Sequence, residues 1–359
     1  MSNPQSKSQS KSKPRSQRKS TPKRNPSPKP PPRPPPPPSG LAHTPYSIPQ
    51  LLGQFHKLLP ARVLAGWLAA SPRAFYQRAF TPLIVLWDCI FPRLFFQHTL
   101  SQVLTDARDG GADRLSPRGK RLSRQLRSSA TAAYSEARQR LPLEVFFQTL
   151  RRSAQQIASW AKGVDWKGWR VVLVDGSTLR LRPHGDIAEV FPPHRPGNCK
   201  KAPYWCLVRV VVGFCLGTGA VVDCALGSLK ASEQALCAML LSGGDWAKTL
   251  LIGDRNFGVY SVVLSAQAAS AQSLVRLTKL RAAKLARSVK ARLVAGLDIP
   301  LVWRPSAHDQ CPEGLDPKPV AGRLLALRVR RPGFPPLMLY LFTTLTEAQT
   351  YPAADLAQL

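Results

Sequence analysis

A chain of 359 residues with 44% hydrophobic content is long enough for one large domain or two ordinary ones and apolar enough to bury a core. Lys and Arg number 51 against 20 Asp and Glu, a net charge of +31, which points to a polyanionic partner, nucleic acid ahead of an anionic membrane surface. The densest apolar run, TPLIVLWDCIFPRLFFQ, is broken by Asp88, Pro92 and Arg93, so no membrane span is expected. With no apolar stretch near Met1 and prolines that forbid an amphipathic leader helix, the chain reads as cytoplasmic. Its 7 cysteines form no C-x-x-C pair and have no His at zinc spacing, so they read as reduced thiols, mostly buried.

In chain order, residues 1–42 form a tail rich in Lys, Ser and Pro and free of acids. Such a composition predicts disorder, with PPPRPPPPP as a stiff extended spacer. It suits sequence-independent DNA affinity, the other reading being a ligand for a proline-binding domain. Residues 43–165 read as a helical DNA-binding region, because apolar residues recur at three and four in IPQLLGQFHKLLPARVLAGWLAA and LPLEVFFQTLRRSAQQIASWA. Between these runs lies a basic stretch around Lys120, Arg121, Arg124 and Arg127. It is either a phosphate-contacting surface or a solvated helix face.

At Trp166 the pattern becomes β-branched and strand-length. The runs WRVVLVDGSTLRLR, YWCLVRVVVGFC, GAVVDCALGS, TLLIGDRNF and SLVRLTK read as strands, with SEQALCAMLLSG and YSVVLSAQAASA as intervening helices. The Gly-containing CLGTGAV predicts a hairpin and therefore an antiparallel second and third strand. The helix-linked strands after it should run parallel, giving an α/β fold with a mixed sheet and flanking helices. This core is expected over 166–280. A basic, partly β insertion should fill 281–320, and returning strands GRLLALRVRR and LMLYLFTTL, followed by the start of a helix, should occupy 321–359.

Two aspartates terminate apolar runs: Asp175 in VVLVDGS and Asp254 in LLIGDRNF. Alone, each has an ordinary explanation, Asp-Gly as a turn and Asp254 as a turn or helix cap. Together, on neighbouring strands, they can share one divalent cation. The carboxylates repel each other, and a hard ion such as Mg²⁺ or Mn²⁺ relieves that repulsion while attracting phosphate oxygens. In a basic protein this suggests phosphodiester chemistry.

These motifs resemble the DDE transposases of bacterial insertion sequences, in the insertion-sequence-4 group. The likeness covers about 141–359. The family's D-G-T/S motif is matched by Asp175, Gly176 and Ser177, its (G/A)-D-R-x-F motif by Gly253, Asp254, Arg255 and Phe257, and a basic pair after the next strand by Arg276 and Lys279. The resemblance implies an RNase H-like core, Asp175 and Asp254 as Mg²⁺ or Mn²⁺ ligands, and cleavage and strand transfer at terminal inverted repeats of double-stranded DNA. It further implies a homodimer on DNA and a nucleoid location. The family's third acid is a Glu on a helix following Y-P-A-x-x-L-A-x-L. The segment TYPAADLAQL matches that approach and the sequence stops at Leu359, so the third carboxylate is expected to be missing, with Glu347 and Asp355 as conceivable substitutes. A non-catalytic DNA-binding remnant, or inhibitor of an intact copy, is the alternative; a general RNA-binding protein is a weaker one, with no RNP-type motif visible.

Four further features carry weaker expectations. Asp223 reads as structural. His184 and His194 flank a loop whose Arg195, Lys200 and Lys201 are placed to touch DNA. Trp303 reads as packing, or as a platform for a flipped base. Arg255 is either a phosphate contact or the partner of a core carboxylate.

Overall fold

The computed structural model describes residues 47–69, 78–94, 98–117, 120–161, 163–193, 204–309, 311–330 and 333–359. The basic tail of 1–42, His194, Arg195, Lys200 and Lys201 lie outside the described residues. Among those described, no helix is long and apolar enough to cross a membrane.

Among the described residues, seven α-helices precede the first strand: α1 (Ile48–Leu58), α2 (Ala61–Ala69), α3 (Pro82–Leu94), α4 (Leu100–Arg108), α5 (Leu122–Gln125), α6 (Ala132–Arg140) and α7 (Leu143–Trp160). Local chemistry sets their starts. At α4 the Thr99 hydroxyl accepts from the Gln102 amide (3.3 Å), and the Gln102 side chain accepts in return from the Thr99 amide (2.7 Å), so two of the helix's orphan donors are satisfied reciprocally. The apolar stripes of these helices bury a core of their own around Leu52, Phe55, Trp87, Phe91 and Leu104, with the Phe55 and Trp87 rings 5.3 Å apart. On α7, Arg152 donates to the Leu58 carbonyl at 2.6 Å and Arg151 to the Asp223 carboxylate at 2.9 Å. One helix therefore ties the end of α1 to the sheet. Asp223 is 1% exposed and ion-paired, a structural placement.

The rest is an α/β assembly around one mixed eight-stranded sheet, ordered β3-β2-β1-β4-β5-β8-β7-β6. Its strands are β1 (Arg170–Leu181), β2 (Cys206–Cys215), β3 (Val221–Ser228), β4 (Thr249–Gly253), β5 (Gln272–Arg276), β6 (Leu297–Trp303), β7 (Val320–Val329) and β8 (Leu337–Thr343). β1, β2 and β3 run antiparallel, and the β2–β3 turn uses Gly219 at φ 68°, as the CLGTGAV hairpin requires. The short α8 (Ile187–Val190) follows β1. β1, β4 and β5 are parallel, joined through α9 (Glu233–Ser242) and α10 (Tyr260–Ala268).

Alternation along the strands divides the core. Val172, Val174 and Leu251 pack under α9 and α10 with Leu236, Leu240 and Val262. Val171, Leu250 and Leu274 face the other way, onto Leu345, Tyr351 and Leu356 of the C-terminal segment, which ends in the short α12 (Ala353–Leu356). Period-two alternation makes these two faces the unavoidable result of buried strands covered on both sides.

Past Lys279 the structure departs from a simple insertion. Residues 279–288 form a helix, α11 (Lys279–Ser288), started by Thr278, whose hydroxyl accepts from the Arg281 amide at 3.3 Å. This helix spans the expected boundary at 280/281, and β6 pairs antiparallel with β7 as the outermost strand of the same sheet. The dense Lys and Arg of LRAAKLARSVK concealed a helix whose Ala282, Leu285 and Ala286 are buried. Trp303 is a core residue: it is 7% exposed and lies edge-on to Phe342 at 4.9 Å. It is unavailable as a platform for a base.

Candidate functional site

β1 does not end at Asp175. It continues to Leu181, paired with β2 through Leu181↔Cys206, so the Asp-Gly turn is corrected to an in-strand position. What ends there is the pairing with β4, whose last rung is Val174↔Gly253. On the far side of β4 the last rung is Gly253↔Val275. Asp175 on β1, Asp254 in the turn just past β4 and Arg276 on β5 are the next residues, and neighbouring strands lie about 4.8 Å apart. Asp175 shares the parity of Val171, Asp254 that of Leu250, and Arg276 that of Leu274, three residues on one face of the sheet. By that parity the three lie toward one face of the sheet at the level where the parallel pairing of β1, β4 and β5 stops, the side of open α/β sheets at which ligands bind. Both aspartates are exposed and Arg276 is half-buried.

Each aspartate is held by a backbone amide. The Asp175 Oδ1 accepts from the Gly176 N–H at 2.8 Å, and the Asp254 Oδ1 accepts from the Asn256 N–H at 2.8 Å. The second bond is an Asx-turn, the local closure that suits Asp at the start of a loop. The same turn is closed by the Phe257 N–H on the Asp254 carbonyl (3.1 Å) and anchored by Phe257, which is 1% exposed. In this way the D-R-x-F spacing puts an acid in solvent and an aromatic in the core three residues later.

Gly258 completes the turn, because a Cβ there would overlap the carbonyl oxygen of Arg276. Gly258→Ala is expected to cost about 1–3 kcal/mol, the usual range for overpacking, measured as a lower urea midpoint at unchanged m-value.

Sequence reasoning missed Glu233. This first residue of α9 lays its carboxyl group against Gly176, where a Cβ would stand 2.6 and 2.7 Å from its two oxygens, and it accepts from the Asn256 side-chain amide. Beside it the Gln234 amide donates to the Asn256 carbonyl (2.8 Å) and side-chain oxygen (2.7 Å). A cap signal, Ser232 before Glu233, was visible in SEQALCAMLLSG, and the Ser232 hydroxyl accepts from the Ala235 amide at 3.1 Å; nothing in the spacing linked that helix start to Asp254.

The remaining candidates fall into three groups. Arg255 and Lys279 are exposed and follow Asp254 and Arg276 in the chain; the Arg255 carbonyl accepts from Arg281 at 3.1 Å. Lys120, Arg121 and Arg124 are exposed around α5, which Asp113 fastens by accepting from the Ser123 N–H (2.8 Å) and hydroxyl (2.6 Å). Glu347 and Asp355 are engaged elsewhere. Glu347 accepts from Thr350 at 3.0 Å, and Asp355 pairs with Lys167 at 2.6 Å. Lys167 precedes β1 by three residues, whereas Asp175 lies five residues into the strand, about 17 Å further along.

No protein-family model matches the chain, and no curated protein matches it either. The chemistry therefore rests on the site. Two exposed carboxylates just beyond the last β1–β4 rung are hard oxygen donors of the kind that hold Mg²⁺ together with waters and phosphate oxygens, so the residues present fit such an ion. Among the described residues, no group of three or more His, Cys, Asp and Glu is disposed to hold a metal. Six thiols are free among those described. Burial pushes the Cys237 thiol up to about 12, which makes it inert packing.

Proposed function

We propose that the chain is a DDE-type DNA transposase, acting on double-stranded DNA through metal-dependent phosphodiester cleavage and strand transfer. The observation that carries this reading is that Asp175 on β1, Asp254 in the turn directly after β4 and Arg276 on β5 each follow the last rung joining these strands, Val174↔Gly253 and Gly253↔Val275. The order β3-β2-β1-β4-β5, antiparallel in its first three strands and parallel in its last three, supports an RNase H-like core. The helical residues up to Trp160 serve as the DNA-binding region in this reading.

Asp175 and Asp254 bind Mg²⁺ or Mn²⁺, which supplies Lewis acidity toward a phosphodiester. Arg276, at the same level, holds non-bridging phosphate oxygens through its planar fork of donors. Arg255 and Lys279 extend that cationic edge, while Lys120, Arg121 and Arg124 contact phosphates away from the reacting bond and set position without reading sequence. The net charge of +31 supports the polyanionic partner, with affinity falling as salt rises. Binding of element ends by two copies of the chain in a nucleoid setting belongs to the same proposal.

The test is nicking of supercoiled plasmid carrying the element's ends by purified protein, with Mg²⁺ or Mn²⁺. Wild type is expected to nick only with metal, and Asp175→Asn to lower the rate about 100-fold or more, the scale for losing a preorganised electrostatic contact to the transition state. DNA binding without metal should be the same in both. Equal nicking by the variant would sink the reading. Binding with no cleavage at all would favour the second one, a DNA-binding protein without catalysis.

A further inference from the structure

We infer that Glu233 is a positioning residue: it holds the turn bearing Asp254 in place beside Asp175 by bridging Gly176 and Asn256. The inference rests on the metal-binding reading above for its purpose, and on the contacts alone for its geometry.

Two separate motifs have to be fixed relative to each other for two carboxylates to meet one ion. Backbone pairing does part of this, but it stops at Val174↔Gly253, one residue short of both aspartates. Beyond that rung Asp254 is carried by a turn with no strand partner, and such a segment must find its order in side-chain contacts. Glu233 supplies them from α9. Its carboxyl group accepts from the Asn256 side-chain amide, the residue whose backbone N–H grips the Asp254 carboxylate. The same carboxyl group lies flat on Gly176, the residue whose backbone N–H grips Asp175. One side chain thus touches both amides' owners. Gln234 reinforces the clamp with its two bonds to Asn256.

Parity argues that this carboxylate positions the site and does not complete it. Gly176 has the parity of Val172 and Val174, which pack under α9 and α10, whereas Asp175 has that of Val171 on the opposite face. Glu233 therefore lies beneath the strand that carries Asp175, on the far side from its carboxylate. The geometry also gives Gly176 a reason that a turn does not: φ at this position is unexceptional among the glycines, and it is the space taken by Glu233 that excludes a side chain.

Positioning groups behind metal ligands are worth about 10–100-fold in metal affinity. Five proteins decide the matter: wild type, Asp175→Asn, Glu233→Gln, Glu233→Ala and Asn256→Ala, each measured for Mn²⁺ affinity by electron paramagnetic resonance and for amide exchange at residue 256. A glutamine keeps one oxygen able to accept from Asn256, while the other oxygen becomes an amide donor and the charge is lost. Glu233→Gln is expected to stay within about threefold of wild type, while Glu233→Ala and Asn256→Ala lose about tenfold or more and Glu233→Ala speeds exchange of the Asn256 amide. The inference is overturned if Glu233→Gln loses as much Mn²⁺ affinity as Glu233→Ala, since the charge itself would then be the ligand. It is overturned equally if Glu233→Ala leaves the Asn256 exchange rate unchanged. Should wild type show no Mn²⁺ binding that Asp175→Asn abolishes, the metal reading fails, and the exchange result alone decides whether Glu233 holds the turn.

Discussion

Replacing Arg323 by Met is expected to lower the unfolding free energy by about 3–5 kcal/mol, the cost of dismantling a buried ion pair from one side. Arg323 sits on β7 with its side chain 2% exposed. It makes a two-pronged contact with the Asp298 carboxylate on β6, and its remaining donors reach the carbonyls of Leu345 (3.3 Å) and Tyr351 (2.9 Å). A methionine fills only the stem's share of that space and satisfies none of these acceptors. Two backbone carbonyls of the C-terminal segment then lose their partner, and buried unsatisfied acceptors are costly. That segment covers the sheet face bearing the parity of Asp175, so the damage should be local first. Limited proteolysis should release residues after Thr343 before the rest of the sheet is cut. Asp298→Asn is the control: the Asp298 side chain is 27% exposed, an amide oxygen still accepts, and the loss should be about 1 kcal/mol. A Met variant as stable as wild type would mean that the guanidinium merely offsets its own desolvation.

Arg323 also marks a limit on what charge in a sequence conveys. In GRLLALRVRR it is indistinguishable from a DNA-contacting arginine, yet it is wholly internal. Arg151, Arg152 and Arg170 are likewise committed, to Asp223, to the Leu58 carbonyl and to Thr249 with the Asp245 carbonyl. Composition gives the excess of cations, +31 in all, and leaves unsaid which of them are already committed inside the fold.

What was legible came from periodicity and from turn chemistry. Strand-length β-branched runs identified seven strands of the sheet, and CLGTGAV identified the antiparallel hairpin, because both signals are local. Asp175 and Asp254 were legible as a pair for the same reason: each interrupts an apolar run. The extension of β1 past Asp175 was not, since Asp-Gly is also a turn sequence and only the distant partner β2 decides between them. The helix after Thr278 was hidden by its charge. Glu233 could not be found at all from spacing, because its bearing on Asp254 comes from packing of α9 against the end of β4, a contact between residues 23 apart that no local rule encodes. Glu347 and Asp355 are each engaged locally, with Thr350 and with Lys167, contacts no spacing rule in the sequence announces.

Asp88 was noticed in the sequence only as an interruption of an apolar run, and its surroundings predict an effect of the opposite sign. On α3 it is 1% exposed, and neither carboxylate oxygen has a hydrogen-bond partner. Burial, and secondarily the Asp106 carboxylate on α4, hold its pKa well above the ordinary range. In the folded protein Asp88 therefore keeps its proton at pH values where the unfolded chain, with a carboxyl pKa of about 3.9, has released it. The raised folded value fixes the sign. The stability contribution is fully present below the unfolded pKa and is lost as pH rises toward the folded one, at about 1.4 kcal/mol per pH unit within that window. Other carboxylates titrate there too, so the quantity to measure is the difference between wild type and Asp88→Asn in urea unfolding across a pH series starting near pH 4. The asparagine variant does not ionise, and its stability relative to wild type should climb steadily with pH and then level off where the folded Asp88 begins to lose its proton. A flat difference would mean that the carboxylate finds compensation that its burial among Trp87, Phe91 and Tyr134 does not provide.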